Sequence, residues 1–139
     1  MGHYVGIDVG ENQIGLAISD TGKKIAFPLA VIKRENKSYC FNRIKKLLSD
    51  KDVEAFVVGL PVRSDGKYGQ EVENILNYVD SLKNYFHYEV ILWDERYTSV
   101  IAEKYLIQAD MRRKKRKAMI DEVAAQIILQ SYLDYLHKK

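Results

Sequence analysis

The first apolar run of the chain alternates. Val5, Ile7 and Val9 fall on one side of an extended segment, and Gly6, Asp8 and Gly10 on the other. This period of two predicts a strand over His3–Val9. A tight turn at Gly10-Glu11-Asn12-Gln13 then leads into Ile14–Ile18, a second strand paired with the first as a hairpin. Thr21-Gly22-Lys23-Lys24 makes a further turn before a third strand near Ile25–Lys33. The period then changes to 3.6. Phe41, Ile44, Leu47 and Leu48 mark a helix that Ser38 can cap. Ala55–Leu60 is continuously apolar, as suits a parallel strand buried on both faces; Pro61 ends it, and a polar loop runs to Gly69.

Val72, Ile75, Leu76, Val79 and Leu82 carry an amphipathic helix over Gln70–Phe86, followed by a fifth strand, Glu89–Trp93. Thr98 can cap a helix bearing Ile101, Ala102, Tyr105 and Leu106, and a last helix extends from about Ile120 to His137. Three meandering strands followed by alternating helices and strands predict an α/β domain. Its five-stranded mixed sheet would be flanked by helices on both faces.

Composition narrows the class without naming a function. With 139 residues, 47% of them hydrophobic and dispersed, the chain is expected to form one domain over 1–139 with its own core. No apolar run approaches the roughly 20 residues of a membrane span, and nothing before Tyr4 reads as a signal peptide. Cys40 is the single cysteine, which precludes an intramolecular disulfide and suits a reducing cytoplasm. It lies between Tyr39 and Phe41 in a helix, where core filling suits it better than nucleophilic chemistry. His3, His87 and His137 show no zinc-ligand spacing, and Gly6 and Gly10 lack the Gly-Lys-Ser/Thr ending of a phosphate loop.

The chemistry resides in carboxylates. Asp8 interrupts an apolar strand beside two glycines, where a buried charge is costly unless something pairs with it. Capping the following turn is the simpler alternative. In sheets of this kind ligands gather beyond the carboxyl ends of parallel strands, and there the fifth strand ends in Asp94-Glu95-Arg96. Glu95 is preferred as the residue that reaches the site, with Asp94 an open alternative; pairing with Arg96 or stabilising a helix start would be its structural role. Asp121 shares a helical face with Ala124, Ala125, Ile128 and Tyr132, whereas Glu122, Gln126 and Gln130 occupy the polar side. The alternative for Asp121 is an N-cap. Three inward carboxylates suit the hard cations Mg²⁺ or Mn²⁺. Two such ions roughly 4 Å apart activate water and stabilise the leaving oxygen of a phosphodiester.

Charge supplies the partner. The net charge is only +3, from 22 basic and 19 acidic residues, but Arg112, Arg113, Lys114, Lys115, Arg116 and Lys117 stand in a row. Like charges repel, so this run is expected to be an exposed, mobile loop that orders on a nucleic-acid backbone. A merely solvated surface is the alternative reading. Tyr68 and Tyr97 lie in loops near the expected site, where they can stack on a base or simply pack.

These residues together resemble the YqgF (RuvX-like) family of pre-16S rRNA nuclease and Holliday junction resolvase-like proteins. The matching segments are Gly6-Ile7-Asp8-Val9-Gly10, Ile14 through Asp20, Val57-Val58-Gly59-Leu60-Pro61, Asp65-Gly66, Asp94-Glu95-Arg96-Tyr97-Thr98, and Arg116-Lys117 to Ile120-Asp121 with Ala124-Ala125 and Ile128-Leu129-Gln130. The resemblance implies an RNase H-like fold, a cytoplasmic location and metal-dependent processing of the 5′ end of precursor 16S rRNA. Its acidic positions fall on Asp8, Glu95 and Asp121. RNA is thereby favoured over DNA as the structured partner, and Arg96 joins the basic run as a backbone contact. A DNA junction resolvase is the first alternative. RNase H-like nucleases commonly carry a carboxylate at the end of the fourth strand, where this chain has Leu60-Pro61; the nearest acid is Asp65, more simply part of a turn. That departure motivates a second alternative, a catalytically silent nucleic-acid-binding module. Monomer and homodimer both remain open, a two-fold dimer suiting a symmetric junction.

Overall fold

The computed structural model describes residues 2–63, 65–97 and 113–138; Tyr97 and residues 113–122 are described by their backbone alone. The hairpin forms as its alternation predicts. β1 (His3–Val9) pairs antiparallel with β2 (Gln13–Ser19), setting Asp8 opposite Gly15. The turn between them is closed by the Gly10 amide donating to the Gln13 carbonyl at 2.9 Å. A Cβ on Gly10 would lie 2.8 Å from that carbonyl oxygen, so the turn is built around the missing side chain. β2 pairs antiparallel with β3 (Ala26–Lys33), while β4 (Val53–Leu60) lies parallel to β1, and β5 (Glu89–Asp94) parallel to β4. The sheet order is β3-β2-β1-β4-β5.

Its two faces carry separate cores. On one, Val5, Ile7, Val9, Phe56 and Val58 pack beneath α1 (Lys37–Leu47) and α2 (Gln70–Phe86). On the other, Ala17, Ala26 and Val57 meet Ala125, Ile128, Leu129 and Leu133 of α3 (Arg113–His137). The period-two split of β1 is the cause. Its valines and isoleucine face α1 and α2, and Gly6 lets α3 lie directly on the strand. A Cβ there would stand 2.8 Å from both the Ala125 carbonyl oxygen and the Leu129 Cβ.

Several expectations are corrected. Asn36, not Ser38, caps α1, its side-chain oxygen accepting from the Tyr39 amide at 2.8 Å; Ser38 is already inside the helix. The basic run is not a loop, because α3 begins at Arg113 rather than near Ile120 and includes Lys114, Lys115, Arg116 and Lys117. Lys and Arg are good helix formers, and like-charge neighbours one turn apart cost only tenths of a kcal/mol. Asp121 therefore sits inside the helix, which removes the N-cap reading. Gln126 and Gln130 do not form a free polar side. Gln130 Oε1 accepts from the Ala26 amide at 2.8 Å, and its Nε2 donates to the Lys24 carbonyl at 2.9 Å. Gln126 Nε2 donates to the Ala26 carbonyl at 3.0 Å. Polar side chains thus satisfy an edge-strand backbone that would otherwise be open to pairing. Arg112 and the helix expected after Thr98 lie outside the described residues, and no helix among those described is long and apolar enough to cross a membrane.

Candidate active site

At the carboxyl end of β1, a cavity of about 290 Å³ opens between the hairpin turn, the start of α2 and the turn after β5. Its lining carries Asp8, Glu11, Glu71 and Glu95, together with Arg34, the one basic residue among the described residues that line it. Asp8 arrives from the penultimate position of β1. Glu95 opens a 3₁₀ turn, Glu95–Tyr97, that follows β5. Gly59 of β4 makes room for it. A Cβ on Gly59 would come within 2.9 Å of the Glu95 Cγ and 2.7 Å of the Ile128 Cδ1, so this glycine lets Glu95 fold over the strand against α3.

The electrostatics separate the two adjacent acids. Glu95 is pushed up from 4.5 to about 7, first by burial and then by the negative charges of Asp8, Glu71 and Asp94. Asp94 is held below the usual carboxylate range, chiefly by the Arg96 side chain. Arg96 Nε and Nη2 donate to Asp94 Oδ2 at 2.8 and 2.6 Å, and the Arg96 amide donates to Oδ1 at 2.9 Å. Asp94 is thus committed to the exposed Arg96, and Glu95 is the one that lines the cavity.

Asp65 stays away from the site. Its Oδ1 accepts from the Lys67 amide at 2.9 Å, and it pairs with Arg63 at 3.3 Å in a turn where Gly66 takes φ 83°. Tyr68 is 60% exposed in the same loop and does not line the cavity. The side chains of Tyr97, Arg113, Lys114, Lys115, Arg116, Lys117 and Asp121 lie outside the described residues. Along α3, Asp121 precedes by one turn and by two turns Ala125 and Ile128, both packed on the sheet. Among the described residues no group of three His, Cys, Asp or Glu side chains is close enough to hold a metal ion.

Two lining residues carry no sequence signal. Glu71 lies in the first turn of α2, where an acid suits the helix N-terminus and passes for ordinary dipole compensation. Arg34 follows β3 as one of 22 cations. Only the folding of β3 and α2 around the hairpin turn brings both to Asp8.

A mixed sheet with α1 and α2 on one face and α3 on the other, and carboxylates at the end of β1 and just past β5, is the architecture of the RNase H-like fold. Solved structures share the fold. T. thermophilus RuvC in complex with a Holliday junction substrate aligns with a TM-score of 0.63 at 15% identity, covering 99% of this chain and 96% of that one. The Fowlpox virus resolvase with Holliday junction DNA gives 0.51 at 13% identity, covering 96% and 98%. The family is set by sequence: the RuvX model, described as Holliday junction resolvase, matches residues 2–135, and the chain belongs to that family of phosphodiester-cleaving enzymes. A Thermoanaerobacter pseudethanolicus relative to which the name pre-16S rRNA nuclease has been given is 44% identical over 131 residues, 94% of each chain. A Clostridium botulinum relative with the same name is 40% identical over 134 residues, 96% of this chain and 98% of that protein.

Proposed function

We propose that the chain is a cytoplasmic, divalent-metal-dependent endonuclease that trims the 5′ end of precursor 16S rRNA. The observation that carries the metal dependence is Glu95. A half-buried carboxyl raised to about 7 by burial and by the surrounding acids is in a place where added positive charge is strongly favoured. An all-oxygen donor set of this kind fits Mg²⁺ or Mn²⁺. Because the described carboxylates do not close a site among themselves, the third ligand in this reading is Asp121 from α3. Asp8, Glu95 and Asp121 would hold the ion, which supplies an activated water and charge for the leaving oxygen when bound. Glu71 and Glu11 add negative potential without being needed as ligands, and Arg96 with the basic start of α3 holds the RNA backbone.

The substrate rests on the names of the two relatives. A DNA junction resolvase is the second reading, favoured by the family's description and by the RuvC likeness. One experiment separates them. Purified protein is incubated with a precursor 16S rRNA fragment and with a synthetic four-way DNA junction, each with Mg²⁺ or with chelator. Metal-dependent cleavage of the RNA near its 5′ end, lost in Asp8→Asn, is expected. Cleavage of the junction alone would favour the resolvase, and cleavage that survives chelator or Asp8→Asn would refute the metal mechanism. RNA that binds and stays uncut in every condition would leave a silent binding module.

A further inference from the structure

We propose that Arg34 is the phosphate-binding residue of the cavity, a preset guanidinium that grips a backbone phosphate of the strand being cut. This rests on the nuclease reading for the identity of the phosphate, and on the structure for the geometry.

An acidic cavity and a polyanionic substrate repel, so some cation must face the phosphate as it enters. Among the described residues that line the cavity Arg34 is the one base, against Asp8, Glu11, Glu71 and Glu95. It is held from three sides. Its amide donates to the Asn12 carbonyl at 2.9 Å, which fixes the chain at the end of β3 to the hairpin turn. Its Nη1 donates to the Gly10 carbonyl at 2.7 Å, two residues past Asp8. Its Cζ lies 5.1 Å from the centroid of the Tyr78 ring on α2. A guanidinium stacked on a ring and anchored through one nitrogen has lost most of its rotational freedom before any ligand arrives.

The partners are as informative as the restraint. A cation in such surroundings would be expected to neutralise a carboxylate, yet the ion pairs found among the described residues do not include Arg34. It rests instead on a neutral carbonyl and a ring, both of which leave its charge intact. Only Nη1 is used in the hydrogen bonds of the described residues, out of five N–H donors. The remaining fork matches two oxygens of a phosphodiester, a geometry lysine cannot reproduce. Because the Gly10 carbonyl lies two residues past Asp8, where β1 runs into the hairpin turn, the phosphate would be registered against the carboxylate that the reaction uses. Positioning of this sort acts on the rate as well as on binding.

The test compares Arg34→Ala, Arg34→Lys, Tyr78→Leu and Tyr78→Phe with the parent. Affinity for a labelled precursor-RNA fragment is measured by fluorescence anisotropy in chelator across a salt series, and cleavage with Mg²⁺ well below each melting temperature. Arg34→Ala is expected to bind about ten-fold more weakly and to flatten the salt slope of log affinity by roughly 0.7–0.9, the loss of one phosphate contact. Arg34→Lys should keep the slope but lower kcat several-fold, because its charge remains while the fork is gone. Tyr78→Leu should keep the slope with affinity reduced about three-fold, and Tyr78→Phe should behave as the parent. Arg34→Ala with unchanged slope and affinity and only a lower melting temperature would make Arg34 a structural clamp and overturn the inference. The nuclease reading fails separately. A parent that cuts nothing while Arg34→Ala still loses slope would sink the enzyme and leave the phosphate contact standing.

Discussion

Replacing Glu95 with Gln should make the metal-free protein more stable in mild alkali and no more stable in mild acid. The folded carboxyl sits at about 7 against an ordinary 4.5, so the folded state holds its proton more tightly than the unfolded chain does. Its contribution to stability is then fully present below about pH 4.5 and is lost as pH rises to about 7. At roughly 1.4 kcal/mol per pH unit, the whole displacement amounts to about 3 kcal/mol. Glu95→Gln removes the ionisation and keeps the shape. It should therefore gain up to about 3 kcal/mol over the parent at pH 8, or roughly 10 °C in melting temperature for a domain of this size. The gain should vanish near pH 4.5. Salt should shrink it in part, since Asp8, Glu71 and Asp94 act through screened charge whereas burial, the largest cause, does not. Thermal and urea melts of chelated protein across this pH range provide the assay. Saturating Mg²⁺ should then stabilise the parent more than Glu95→Gln at pH 8. An advantage of the same size at pH 5 and pH 8, or none at pH 8, would refute the reasoning.

Gly6→Ala should destabilise the protein by about 1–3 kcal/mol, because its Cβ would collide with the backbone and Cβ of α3 at 2.8 Å and an overpacked contact relaxes only partly; a urea melt measures the loss. Tyr78→Phe should be neutral or stabilise by up to about 1 kcal/mol, since its buried hydroxyl meets no hydrogen-bond partner among the described residues and burial pushes its ionisation far up. The Cys40 thiol beside it is a weak polar neighbour rather than a geometric partner; a melting temperature several degrees below the parent would contradict this. Replacing Lys114, Lys115, Arg116 and Lys117 together with Gln should keep the helix, as read by circular dichroism. Each phosphate contact so lost should flatten the salt slope of RNA affinity by roughly 0.7, and an unchanged slope would make the run a solvated surface.

Patterns that depend on one element were legible in the chain; patterns that depend on two were not. The alternation of Val5, Ile7 and Val9 with Gly6 and Asp8 places β1 and both of its faces, because a strand's period is a property of the strand alone. The 3.6 period sets α2 at Gln70–Phe86 for the same reason. Caps are harder. Asn36 and Ser38 are both good N-cap residues two positions apart, and which one caps depends on how the chain leaves β3. The start of α3 was hidden by its charges. Six cations in a row suggest mutual repulsion, but the repulsion per pair is small beside the packing of Ala125, Ile128 and Leu129 on the sheet further along the same helix. The polar side of that helix was visible, though its destination was not: Gln126 and Gln130 find the β3 backbone only because α3 crosses the sheet to its edge.

The candidate site divides along the same line. Asp8 declares itself by being a charge inside an apolar strand, and Glu95 by following a strand end. The distinction between Asp94 and Glu95 needs the third dimension, where Arg96 engages the first and Gly59 admits the second over the sheet. The missing carboxylate at the end of β4 is the sharper lesson. Leu60-Pro61 offers none, and Asp65 in the loop that follows is spent on the Lys67 amide and Arg63. Yet the cavity is not short of negative charge on that side, because the same loop delivers α2, whose first turn brings Glu71 into the lining with Asp8 and Glu95. A carboxylate need not come from a particular strand to shape the potential felt by Glu95; it must only come from an element whose N-terminus points into the same space. In chains of this architecture, the first turn of the helix after β4 therefore belongs in any search for acidic site residues when the strand end itself is apolar.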